Sequence, residues 1–75
     1  MPRTDDAVTI AQNPHAPARE WWSRAVEDKN APVTFDRLAV SGMVTLHPSA
    51  AMALWVWAKT IPGWDEIPLL MLKGD

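Results

Sequence analysis

The sequence predicts a mainly α fold: a small single domain of three or four short helices that follows an extended N-terminal arm. Three observations predict it. The chain has only 75 residues, enough for one domain with a small core. Apolar residues recur at helical spacing in several segments between positions 18 and 60. Prolines and glycines stand near the ends of these segments, where they begin or end helices. We therefore divide the chain into an arm, residues 1–17, and a globular domain, residues 18–75.

The arm contains few side chains that build a core. Val8 and Ile10 are its sizeable apolar residues of the buried type, and two prolines near its end forbid a continuous helix. The alternation of Val8, Thr9 and Ile10 is that of one edge strand, which forms where a neighbour offers a pairing partner. We therefore expect the arm to lie across another molecule.

Two short helices are predicted next. Residues 18–29 begin beside Pro17 and contain oppositely charged residues four positions apart, as an exposed helix does. In the following segment Thr34 is suited to cap a helix N-terminus and Gly42 to end the helix. The competing interpretation takes residues 38–46 as a strand, because several of them are β-branched.

The C-terminal segment also leaves helix and strand open. Asp65 is able to begin a short helix with Pro68 in its first turn, whereas residues 69–72 also form an apolar run of strand length. If residues 38–46 and 69–72 are both strands, the fold is α+β. That is the alternative to the mainly α prediction.

The segment "AAMALWVWA", residues 50–58, is apolar throughout. Its boundary signals and length favour a helix over residues 49–60. A helix that is apolar on every side is one that is surrounded on every side, and three other short elements do not easily surround it. As a strand it would also need cover on both faces. The sequence therefore predicts that another molecule covers part of this segment.

Five tryptophans in so short a chain match the composition of a binding surface. Leaving an indole exposed forgoes on the order of 2 to 3 kcal/mol, a large share of the stability of a small domain. The alternative is that the indoles form a dense core. On the first interpretation, the residues expected to bind a protein partner are Trp21, Trp55, Trp57, Trp64, Val8 and Ile10.

The sequence offers no set of residues that predicts catalysis. His15 and His47 lie far apart, the acidic pairs are adjacent residues that point in different directions, and there is no cysteine. The three glycines do not form a phosphate-binding loop. We therefore predict a non-enzymatic protein that uses no cofactor and no metal and has no small-molecule substrate.

Residues 34–55 resemble a helix-turn-helix, with Thr34 as cap and Gly42 at the turn. The resemblance is unspecific, covers about a third of the chain and implies, as the alternative function, a small DNA-binding regulator that dimerises through its apolar helix. The recognition helix would present alanines and Trp57 to the groove, with no Arg, Asn or Gln to read base edges. The seven Lys and Arg are scattered and the net charge is −2, so a nucleic-acid partner is disfavoured.

The function we predict is protein–protein interaction, as a small subunit or accessory factor of a larger protein assembly. The partner is another protein or further copies of the chain, in a homo-oligomer. Small proteins of this kind occur as phage virion components and as phage-encoded inhibitors of host proteins. No segment approaches the ~20 apolar residues of a transmembrane helix and no signal peptide is evident, so we expect a cytoplasmic location, or a place within a virion.

Overall fold

The computed structural model describes residues 7–73, apart from the Lys73 side chain. Along this part of the chain, strands and helices alternate irregularly and one short 3-10 turn precedes the last strand. The elements are β1 (Val8–Gln12), α1 (Arg19–Glu27), α2 (Val33–Ser41), β2 (Met43–Leu46), α3 (Pro48–Lys59), the 3-10 turn (Trp64–Glu66) and β3 (Leu69–Lys73). Residues 1–6 of the expected arm and residues 74–75 lie outside the described residues.

The fold is α+β, so the mainly α prediction is wrong. The strands form one antiparallel sheet in the order β2-β1-β3. The strand predicted at 69–72 is present as β3, whereas residues 38–46 divide into the end of α2 and strand β2. Gly42 separates the two with a φ of 87°, a left-handed conformation that glycine adopts without the steric cost of a side chain. Short apolar segments fit helix and strand patterns alike, and pairing with distant residues decides between them.

Residues 8–12, expected to lie in an arm, form the central strand of the sheet. Ile10 pairs with Val44 of β2 on one side and with Met71 of β3 on the other, and its side chain is 0% exposed. The arm interpretation is therefore wrong for these residues. The arm was predicted from the local composition of residues 1–17. That composition does not reveal pairing partners that lie more than thirty positions away in the sequence.

The helix ends follow the sequence signals in part. At the start of α3, the His47 side chain accepts a hydrogen bond from the Ser49 backbone N–H at 3.2 Å, and Pro48 occupies the first turn. Thr34 was expected to cap α2, but that helix starts at Val33 and Thr34 lies within it. Strand β2 stands between α2 and α3, so these helices do not form the helix-turn-helix that the sequence resembles.

The core lies between the helices and one face of the sheet. On that face, Ile10 and Leu69 are completely or almost completely buried. Helix α2 and helix α3 both contact β1 and β2. Among the described residues no polar or charged side chain is buried. The buried hydrophobic residues are Ile10, Ala18, Trp21, Ala25, Phe35, Leu38, Ala51, Leu54, Ala58, Ile61 and Leu69.

Candidate functional site

The indole of Trp21 is the centre of an aromatic cluster in the helical layer. Its ring centroid lies 5.1 Å from that of Trp22, 5.9 Å from that of Phe35 and 6.0 Å from that of Trp64. These spacings, with edge-on or tilted rings for all three pairs, are those of favourable aromatic contacts. The Trp21 indole N–H donates to the Ala58 carbonyl at 3.3 Å, so its one polar group is satisfied although the side chain is buried.

The other indoles extend this cluster. The Trp57 ring packs edge-on against Phe35 with centroids 4.8 Å apart, and its N–H donates to the Asp28 carboxylate at 3.2 Å. Trp55 packs edge-on against Trp64 at 4.8 Å. The five tryptophans are therefore joined through one another and Phe35 into a single cluster. Trp21 is fully buried at its centre, and the other four tryptophans are partly buried around it.

Of the six residues expected to bind a partner, the structure gathers the four tryptophans into the aromatic cluster and places Val8 and Ile10 in β1. Ile10 and Trp21 are 0% exposed and offer no area to another molecule. The remaining four are half-buried and pack against the core: Val8, Trp55, Trp57 and Trp64.

Helix α3 has one side that no described residue covers, as expected for a segment that is apolar on every side. Ala51, Leu54 and Ala58 are buried against the rest of the chain. Met52 and Val56, four positions apart on the outer side, are 57% and 55% exposed. Two such residues form a narrow strip, which is ordinary for a protein surface.

The described residues contain little that suggests chemistry on a small molecule. No group of three or more His, Asp or Glu side chains in residues 7–73 is placed to hold a metal ion. His47 serves as a helix cap. The shallow clefts include one of about 290 Å³ beside the start of α1, lined by Arg19 and Glu66 among others, and one of about 470 Å³ along α2, lined by Asp36, Arg37, Val40 and Ser41. No described helix is long and apolar enough to cross a membrane.

The sheet carries an ordered apolar surface that no described residue covers. Side chains alternate between the two faces of a strand, so the neighbours of buried Ile10 along β1 point away from the helices. The register places residues of β2 and β3 beside them on the same side. We call this the open sheet face, and its residues are Thr9, Ala11, Met43, Thr45, Leu70 and Leu72.

The open sheet face is accessible and free of charge. None of its six residues is buried, and Met43 and Leu72 are 54% and 49% exposed. Its two polar residues, Thr9 and Thr45, lie side by side with their hydroxyl oxygens 2.9 Å apart and share a hydrogen bond. One cross-strand row of the face, Met43, Ala11 and Leu70, is therefore apolar throughout, and in the other row the hydroxyl pair lies beside Leu72.

No protein-family model, curated protein or solved structure matches this chain. The function must therefore be inferred from the surface of the molecule alone. Sequence reasoning missed the open sheet face, although the alternation of residues 8–12 was the available signal. Had that segment been assigned to a central strand, Thr9 and Ala11 would have been placed opposite the core face.

Proposed function

We propose that this chain is a non-enzymatic protein-binding subunit of a larger assembly, and that its contact surface is the open sheet face. The observation that carries the proposal is the exposure of Met43 and Leu72 on a face that the helices leave uncovered. A sheet covered on one side only commonly presents polar residues on the other. Here the second side carries four apolar residues and two threonines.

The energy available from covering this face supports the proposal. Complete burial of a Leu or Met side chain is worth about 1.5 to 3 kcal/mol. Met43 and Leu72 are each about half exposed, at 54% and 49%. Burying both therefore contributes about 2 kcal/mol, and the partner's own apolar side chains add to it. Contacts of this kind form the central part of a protein interface.

The cost of covering the face is low for the same structural reasons. No residue of the open sheet face is charged, so no ion has to lose its water. Because Thr9 and Thr45 already share a hydrogen bond of 2.9 Å, a partner that covers them does not leave both hydroxyls unpaired.

Site-specific photo-cross-linking tests the proposal. A photoreactive amino acid replaces Met43 on the open sheet face, and in a second variant it replaces Met52 on the outer side of α3. The two methionines are matched in exposure, at 54% and 57%. In cells that carry the native gene, we expect the Met43 position to give a cross-linked product of discrete mass and the Met52 position to give none.

Charge substitutions provide the control. With the photoreactive residue kept at position 43, Leu72→Lys should abolish capture of that same partner and Met52→Lys should not, because only the first places a charge in the contact. Both variants should keep the far-UV circular dichroism of the parent chain. Equal cross-linking from the two positions, or a partner that is still captured when Leu72→Lys is added, contradicts the proposal.

A further inference from the structure

The outer edge of β3 presents main-chain groups that pair with no described residue. In an antiparallel ladder, alternate residues direct their N–H and C=O groups toward the partner strand. The Asn13 N–H donates to the Pro68 carbonyl at 3.1 Å, which sets the phase of the β1–β3 ladder. Leu70 and Leu72 therefore bond to β1. The residues whose main-chain groups point away from β1 are Leu69, Met71 and Lys73.

The opposite edge of the sheet, on β2, is shorter and partly closed. The Gln12 N–H donates to the Gly42 carbonyl at 2.9 Å, so Met43 and Thr45 are the β2 residues whose main-chain groups point outward. The Met43 carbonyl lies 2.7 Å from the Ser41 hydroxyl, whose one proton is shared with the Arg37 carbonyl at 2.6 Å. The edge of β3 is thus the better template for a further strand.

We propose that a second copy of this chain pairs with β3, antiparallel to it and with the two-fold axis at Met71. In this register Met71 faces Met71 of the second copy, and Leu69 faces Lys73 of the second copy. All outward-pointing residues are then paired, in about six hydrogen bonds. A register centred one residue to either side forms about four. A register whose two-fold axis lies between two residues places outward-pointing main-chain groups opposite inward-pointing ones and forms no hydrogen bonds.

The side chains suit this two-fold arrangement. Leu70 of one copy lies across from Leu72 of the other, so apolar residues meet on the open sheet face. Met71, which is 39% exposed, lies next to Met71 of the second copy on the other face of the sheet, the face that carries Ile10. The net charge of each chain is only −2, so repulsion between copies is small. The result is a six-stranded sheet with a continuous apolar face.

The inference rests on the proposed function, because it names a second copy as one partner of the sheet. A five-residue strand edge is about 17 Å long and smaller than a standard interface of about 800 Å² per partner. We therefore expect a dimer that dissociates on dilution. By sedimentation velocity, the average mass should rise from the 8.4 kDa of the monomer toward twice that value as concentration increases from about 10 μM to about 1 mM.

Proline substitutions identify the edge that pairs. Met71→Pro removes an outward N–H of β3, whereas Thr45→Pro removes the equivalent group of β2, and neither group bonds to β1. We expect Met71→Pro to be monomeric at every concentration and Thr45→Pro to dimerise like the parent chain. A dimer that survives Met71→Pro overturns the inference, as does a parent chain that stays monomeric up to about 1 mM.

Disulfide formation tests the register without disturbing the strand. The chain has no cysteine, so Met71→Cys introduces one thiol per copy. Residues opposite each other in a hydrogen-bonded pair have Cα atoms about 5.5 Å apart, which a disulfide bridges. On mild oxidation, Met71→Cys should form covalent dimers at least tenfold faster than Met52→Cys, although Met52 is the more exposed residue at 57% against 39%. Equal rates overturn the inference.

The two proposals fail in different ways. A monomeric parent chain that still cross-links a partner through the Met43 position overturns the two-fold dimer and leaves the proposed function standing. A dimer lost in Met71→Pro, with no other protein cross-linked at Met43, supports the dimer and contradicts binding to a different protein through the open sheet face.

Discussion

The sharpest prediction concerns Ile10, because its position decides whether residues 8–12 belong to an arm or to the core. Ile10→Ala removes a side chain that is 0% exposed in the central strand, with neighbours in both β2 and β3. The matched control is Thr9→Ala, one residue away on the open sheet face. If this segment were an arm, neither substitution would change the free energy of unfolding.

The structure sets the size of the expected effect. A fully buried Ile→Ala change costs about 2 to 5 kcal/mol, and a site enclosed on both sides by strands has little freedom to collapse around the cavity. We therefore expect about 3 to 4 kcal/mol for Ile10→Ala. Thr9→Ala removes one exposed hydrogen bond, to Thr45, and should cost less than about 1 kcal/mol. The whole domain is stable by only about 4 to 11 kcal/mol.

Equilibrium unfolding in urea, followed by tryptophan emission, measures both changes. With a slope of about 1 kcal/mol per molar urea for a chain of this size, Ile10→Ala should lower the midpoint by about 3 M and Thr9→Ala by less than about 1 M. Far-UV circular dichroism should report the same transition, since strand and helices share one core. Equal midpoints for the two variants would refute the placement of Ile10 in the core.

Two further predictions concern the aromatic cluster and the backbone. Trp21→Phe should cost about 2 kcal/mol in urea unfolding, because it loses the hydrogen bond to the Ala58 carbonyl and leaves a cavity, whereas Trp22→Phe should cost less than half as much. Equal costs would contradict the central place of Trp21. Ile67 adopts a φ of 54° while 56% exposed, a strained conformation for a β-branched residue. Ile67→Asn should therefore raise the free energy of unfolding by up to about 1 kcal/mol and Ile67→Val should leave it unchanged. No gain from Ile67→Asn would argue against strain at this position.

Part of the fold could be predicted from local sequence signals. Gly42 ends α2 because glycine adopts the left-handed conformation there without steric cost. Pro48 begins α3 because proline lacks a backbone N–H, which the first turn of a helix does not need. The apolar run 69–72 was recognised as one of two possible structures. What separated strand from helix there was the presence of β1 as a neighbour, which is information about the tertiary fold.

The candidate site was less predictable than the fold. Tryptophan is enriched both in binding surfaces and in small dense cores, and composition does not separate the two. In this chain Trp21 of α1 and Trp64 of the 3-10 turn are far apart in the sequence, yet their ring centroids lie 6.0 Å apart. Contacts of this kind bury Trp21 completely and the other four tryptophans in part, whereas Met43 and Leu72 stay about half exposed.

The sequence by itself determined the helix boundaries set by proline and glycine, the lack of cysteine chemistry and the unusual number of tryptophans. Only the tertiary structure decided which of these side chains are buried. The physical reason is that caps and turns act over a few neighbouring residues, whereas burial depends on which strands pair. Once residues 8–12 are inserted between β2 and β3, one face of the sheet meets the helices and the other is left to solvent or to a partner.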